Sequence, residues 1–175
     1  MSTSTASARA LALGFATPRT WLIAATFIAG NIILPQLCHL MPQGGLIWLP
    51  IYFFTLVGAW RYGWKAGIII ALASPLVNSL LFGMPAPGAV AAISLKSALL
   101  AVAAGYAGTV RPKASILALI AVVLAYQTAG CAAEWLMSGS LTSAVQDFRL
   151  GIPGMFLQIF GGFATLRCLR HIQGE

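Results

Sequence analysis

Acidic side chains are almost missing from this sequence. Its 175 residues include three Asp and Glu residues in all, and charged residues of both signs amount to 7%. Hydrophobic residues make up 59%, and the mean hydropathy is +0.90. Soluble domains carry about 25% charged residues, so the composition excludes the soluble classes and indicates a surface that faces lipid.

Metal ligands and disulfide patterns are also scarce. The cysteines Cys38, Cys131 and Cys168 lie far apart without a CxxC pattern, and the two histidines are near opposite ends of the chain. We therefore expect no metal site and no cofactor. Membrane topology and anionic membrane lipid account for the net charge of +7, so we expect no nucleic-acid partner.

Six apolar runs predict an all-α membrane protein, a six-transmembrane-helix bundle. The runs are 21–40, 46–60, 66–82, 89–107, 114–137 and 152–166. The second and sixth contain 15 residues each, only about 22 Å of helix. Residues 1–20 are predicted to form a cytoplasmic tail, 21–170 the transmembrane domain and 171–175 a second cytoplasmic tail.

Basic residues gather in alternate breaks between these runs. Eight of the ten share one side of the predicted bundle: Arg9, Arg19, Arg61, Lys65, Arg111, Lys113, Arg167 and Arg170. Because basic loops stay in the cytoplasm, the distribution predicts that both termini are cytoplasmic. The expected location is the cytoplasmic (inner) membrane of a prokaryote, with multiple passes.

Polar side chains inside the predicted helices cluster in their outer halves. They are Asn31, Gln36, His39, Asn78, Lys96, Gln127, Glu134 and Gln158, with Trp135 beside Glu134. Since polar faces are costly against lipid, we expect these residues to turn inward and line a substrate-binding pocket. The outer segments 42–45, 83–88 and 138–150 are expected to cover it. Two alternatives remain open: the two charges extend into the lipid headgroups, or the amides only link helices.

The middle of the chain resembles one known family. Leu49-Pro50, the RYGWKAG turn at 61–67, Ser74-Pro75-Leu76 and the LFGMP stretch at 81–85 are similar to the substrate-binding S components of energy-coupling factor (ECF) vitamin transporters. The resemblance implies a receptor for a vitamin-like molecule that works with a transmembrane T component and two ATPase subunits. It also implies that Ala25 and Ala29, a small-residue pattern on the first helix, bind the T component.

One residue departs from the family pattern. The fourth helix of many relatives carries an acidic or amide residue where this chain has Lys96. A buried lysine suits an anionic ligand, with Glu134 as its counter-ion in the empty pocket.

Other functions are open on the sequence alone. A solitary transporter without an ATPase module and a structural six-helix scaffold both fit the composition. An intramembrane enzyme is not expected, because the chain has no GxSxG motif. The chain also lacks a GxxxxGK[ST] nucleotide loop, so a transport function needs energy from partners or from a gradient.

Overall fold

Helices account for nearly all of residues 14–173, the part of the chain that the computed structural model describes. Arg9 and most of the predicted tail 1–20 lie outside the described residues, as do residues 174 and 175. The helices are α1 (Pro18–Cys38), α2 (Gly44–Trp48), α3 (Phe53–Tyr62), α4 (Trp64–Phe82), α5 (Pro87–Val110), α6 (Ile116–Ser138), α7 (Leu141–Ala144), α8 (Gln146–Leu150) and α9 (Ile152–Ile172). Of these, α1, α4, α5, α6 and α9 are long and apolar enough to cross a membrane.

Proline, serine and glycine set several helix ends. Both α1 and α5 begin with a proline, whose fixed φ and missing N–H suit the first helical position. The hydroxyl of Ser115 accepts a hydrogen bond from the Ala118 N–H at 3.2 Å and caps α6. Gly83, with φ of +67°, ends α4 in the left-handed conformation that glycine adopts without strain.

The last helix is longer than predicted. It continues to Ile172, past Arg167 and Arg170, so its last turn includes His171 and Ile172. A charged residue ends an apolar run where a helix leaves the lipid, but it does not end the helix. The apolar run 152–166 therefore underestimated its length.

The predicted second helix, 46–60, is not continuous. It is divided into α2 and α3 at Leu49, whose φ of +45° is left-handed, and a short 3-10 turn, Pro50–Tyr52, follows. Pro50 lacks an N–H and disfavours the helical conformation in the residue before it. The expectation of one unbroken helix here was wrong, and the segment is not among the five long apolar helices.

Helix α3 is the centre of the bundle. Nine of its ten residues are buried, and it packs against α1, α4, α5 and α9. Glycine permits close approach nearby: a Cβ on Gly105 would lie 2.5 Å from the backbone nitrogen of Trp64. Ala101 and Gly105, two small residues one turn apart on α5, are both buried.

Large apolar side chains are exposed on the outside of the bundle, whereas several polar residues are buried inside it beside the apolar core. Leu80, Leu117 and Leu136 are each at least 75% exposed. The buried polar or charged residues are Thr20, Asn31, Thr55, Arg61, Ser74, Asn78, Lys96, Ser97, Gln127 and Gln158. Apolar outer faces around a polar interior are typical of a multi-pass membrane protein.

The bundle has two chemically different ends. At one, the Phe15 and Trp64 rings lie 6.0 Å apart and Arg61 Nε donates to Gln173 Oε1 at 2.9 Å. This basic end therefore brings together the start of α1, the turn between α3 and α4, and the end of α9. The opposite, loop end carries the connections after α1 and α4 and the short helices α7 and α8.

Candidate functional site

Two adjoining cavities lie at the loop end. The larger measures about 710 Å³ and is lined by residues of 35–51, by Asn78 and by residues of 84–93. The second measures about 420 Å³ and lies between α5, α6 and the short helices α7 and α8. They share Leu46, Ala89 and Ile93 as lining residues. Residues of the three predicted covering segments line these cavities: 42–45 and 83–88 at the larger one, 138–150 at the smaller.

A charged cluster lines the smaller cavity, which we call the charged cavity. The ammonium of Lys96 pairs with Glu134 Oε2 and lies 2.8 Å from Asp147 Oδ2. Lys96 is 3% exposed, and the Glu134 and Asp147 side chains are 19% and 14% exposed. The Lys96 ammonium is thus buried inside the bundle, next to Glu134, its expected counter-ion.

Glycine positions the lysine. A Cβ on Gly130 of α6 would lie 2.6 Å from Lys96 Cγ, so the aliphatic stem crosses α6 where that helix has no side chain. Glu134 follows one turn later on the same face. On the other side, the Ser143 hydroxyl of α7 donates to Glu134 Oε1 at 3.4 Å.

Asp147 and Ser143 were not predicted as site residues. Asp147 is 51 positions from Lys96 in the chain, and the outer segment that contains it was interpreted only as a cover for the pocket. The sequence did contain a signal for this pairing. Two of the three acidic residues, Glu134 and Asp147, fall on the same predicted outer side as the isolated Lys96, so an ion pair with either could have been considered.

A second group of predicted residues links α1, α3 and α4. Asn31 Nδ2 donates to Thr55 Oγ1 and to Ser74 Oγ, both at 3.1 Å. Asn78 Nδ2 donates to the backbone oxygens of Asn31 and Ser74, each at 2.9 Å. Asn31 therefore acts mainly as an interhelical link, whereas Asn78 also lines the larger cavity.

The other predicted residues of α1 lie near this group. Gln36 Nε2 donates to Asn78 Oδ1 at 3.4 Å. His39 lines the larger cavity, and its Nε2 lies 2.8 Å from the position of a Cβ on Gly45. These contacts place the end of α1 at the wall of the larger cavity.

Gln127 and Gln158 are buried but line neither cavity. The Tyr126 hydroxyl donates to Gln158 Oε1 at 2.9 Å. Neither the amide of Gln127 nor Gln158 Nε2 has a hydrogen-bond partner among the described residues. Gln158 lies in a π-helical turn, Leu157–Gly161, a backbone distortion that is frequent at functional sites.

Trp135 is not brought to either cavity. It is 49% exposed on the outside of α6, because it follows Glu134 by one residue and so points about 100° away around the helix. Ala25 and Ala29, predicted to bind a partner, are also exposed, on the outer face of α1.

From Gly14 to Gln173, no group of three or more His, Cys, Asp or Glu residues is placed to hold an ion. The cavities instead combine apolar walls with a few polar and charged groups, as small-molecule sites do.

Comparison with known proteins identifies no relative of this chain. No family model, no curated protein and no solved structure matches the chain.

Proposed function

We propose that this chain is a membrane-embedded substrate-binding subunit that captures a small water-soluble vitamin or precursor and delivers it inward together with a T component and two ATPase subunits. The observation that carries the proposal is the pair of adjoining cavities beneath the loops at one end of the bundle. Their volumes, about 710 and 420 Å³, fall within the range of ligand sites. The motif resemblance supplies the transporter class.

The proposed topology has six crossings with both termini cytoplasmic. Helices α2 and α3 together run from the larger cavity, which Gly44 lines, to the basic end, where Tyr62 accepts a hydrogen bond from Gln173 at 3.1 Å. Counting this broken segment with the five long helices gives six. By the positive-inside rule, the basic end faces the cytoplasm, so the cavities open to the outer side of a prokaryotic inner membrane.

The proposed partner surface lies on α1. Ala25 and Ala29 are both exposed, and small residues at this spacing allow another helix to approach closely. A T component docking here would leave the cavities, at the end of the bundle, free to receive substrate.

Ligand identification is the direct test of capture. The full-length protein is purified in mild detergent, and small molecules that co-purify with it are identified by mass spectrometry. We expect one compound at near-stoichiometric amounts, whose uptake by cells depends on this chain. Absence of both a bound compound and an uptake phenotype would contradict the proposal and favour a structural scaffold.

A substitution that fills the cavities is compared with the same substitution on the outer surface. Ile93→Trp enlarges a residue that lines both cavities and should abolish ligand recovery. Leu80→Trp, at a position 76% exposed on the outer surface, should leave it unchanged. Equal recovery from the two variants would place the ligand elsewhere.

Partner binding is tested separately. Ala25→Phe with Ala29→Phe should reduce co-purification of ATPase subunits at least tenfold without lowering ligand binding. Ile33→Phe, on the same helix and 60% exposed, is the control. Uptake by the chain alone in proteoliposomes would instead identify a solitary transporter.

A further inference from the structure

We infer that the charged cavity selects a ligand with a positively charged group, such as a protonated amine, an amidinium or a cationic heterocycle. The inference rests on the proposed function, because it names the substrate class of the same site. It reverses the anionic ligand that Lys96 alone suggested, and it follows from the charges and atoms that face the cavity.

The charge count is the first step. In their ionised forms Lys96, Glu134 and Asp147 carry one positive and two negative charges, so the cluster has a net charge of −1. Among the described residues, Lys96 is the one basic side chain that lines the charged cavity. Arg149, two residues after Asp147, is exposed and is not part of that lining. An additional anion would therefore enter a site that already has an excess of negative charge.

The free hydrogen-bonding atoms are the second step. The Lys96 ammonium already faces a carboxylate on two sides, and the residue is 3% exposed, so an anion would have to compete with Glu134 and Asp147 for it. Asp147 pairs through Oδ2, and Oδ1 has no partner among the described residues. Glu134 Oε1 receives only the long bond from Ser143, at 3.4 Å. Acceptor oxygens are therefore available on both carboxylates, whereas two of the three ammonium N–H donors already face a carboxylate.

The neighbouring space defines the rest of the ligand. The charged cavity adjoins the larger one at Leu46, Ala89 and Ile93, and the larger cavity is mostly apolar in its lining. A cationic group bound to the remaining carboxylate oxygens of Glu134 or Asp147 would therefore extend an apolar or aromatic body toward these three side chains.

A probe set of equal size and different charge tests the inference. Benzylamine, benzyl alcohol and benzoate are titrated into the purified full-length protein, and binding is measured by calorimetry and thermal shift. We expect benzylamine, which is protonated at neutral pH, to bind at least tenfold more tightly than the other two. A preference for benzoate, or no preference among the three, would overturn the inference.

Substitutions of the two carboxylates distinguish a site for a cationic ligand from a site for an anionic one. Asp147→Asn and Glu134→Gln should each weaken benzylamine binding about tenfold or more, the loss of one charge-assisted hydrogen bond. Thr128→Val is the control on α6, because Thr128 is exposed and its hydroxyl donates only to Leu124 of the same helix. If Asp147→Asn instead strengthens benzoate binding, Asp147 is a displaceable substitute for an anionic ligand and the inference fails.

Lys96→Met is expected to affect the binding of cationic and anionic ligands in opposite ways. It leaves two carboxylates without a counter-ion, so a cation should bind at least as tightly as before and should restore thermal stability. An anion site would lose all binding. Should the natural ligand prove to be neutral or anionic while uptake still depends on this chain, the charge assignment fails and the proposed function stands; absence of any ligand and of uptake removes both.

Discussion

Asn31 of α1 offers a quantitative test of how the bundle is held together. Its side chain is fully buried and makes three hydrogen bonds: to Thr55 Oγ1 and Ser74 Oγ, both at 3.1 Å, and from the Phe54 N–H at 3.2 Å. The Phe54 N–H belongs to the first turn of α3, where backbone donors have no partner within the helix. Asn31→Ala removes all three bonds at once.

The expected cost follows from measured interhelical hydrogen bonds. Each contributes about 0.6 kcal/mol on average and up to about 1.7 kcal/mol in a membrane protein, so three together correspond to roughly 2–5 kcal/mol. We expect the free energy of unfolding to fall by about that amount. The assay is equilibrium unfolding in mixed micelles with increasing SDS, followed by tryptophan fluorescence.

A control on the same helix makes the result interpretable. Thr26 is exposed, and its hydroxyl donates only to the Leu22 oxygen within α1, at 3.0 Å. Thr26→Ala should therefore change the free energy of unfolding by no more than about 0.5 kcal/mol. A loss below about 1 kcal/mol for Asn31→Ala, or equal losses for both variants, would refute the assignment of Asn31 as the link between α1, α3 and α4.

Two further predictions concern packing and burial. Gly105→Ala should clearly lower the unfolding temperature, because the new Cβ would lie 2.5 Å from the Trp64 backbone nitrogen. The control Gly88→Ala should not, because nothing lies within 4 Å of the added atom. Equal thermal-shift curves for the two variants would contradict the close contact at Gly105. Gln127→Leu should leave stability unchanged or raise it by about 1 kcal/mol, because it removes a buried amide with no partner among the described residues. A loss above about 1 kcal/mol in the SDS titration would show that this amide has a partner.

Hydropathy was sufficient to predict the long helices and the inward direction of their polar faces. The exposed side chains of the long helices are mostly apolar, so the run of apolar residues carries most of the information about each crossing. Pro35 and Pro75 lie inside α1 and α4, because neighbouring helices in a bundle tolerate the missing backbone donor.

The break at Leu49 could not be derived from local sequence alone. A Cβ on Gly154 would lie 2.5 Å from the backbone of Trp48, and one on Gly151 would lie 2.6 Å from Leu49 Cδ1. The left-handed leucine is thus accommodated by glycines about 100 residues later in the chain. Tertiary packing of this kind leaves only a weak signal, here the proline at position 50.

The candidate site residues were also predictable only in part from the sequence. The clustering of polar residues in the outer halves of the predicted helices selected Asn78, Lys96 and Glu134, and the structure brings each of them to a cavity wall. This clustering does not determine depth relative to a cavity, so it also selected Gln127, which is buried away from both. The partnership of Lys96 with Asp147 depends on how the segment containing α7 and α8 folds back over the bundle.

The shared wall between the cavities bears on how the specificity of such a protein changes in evolution. Leu46, Ala89 and Ile93 line both spaces, so the two cavities meet at these side chains. Trimming Ile93 to alanine would widen the contact between two spaces of about 710 and 420 Å³. Under the proposed function, one substitution at this wall would change the size of ligand accepted while the ion pairs of Lys96 stay intact, so specificity could change without rebuilding the bundle.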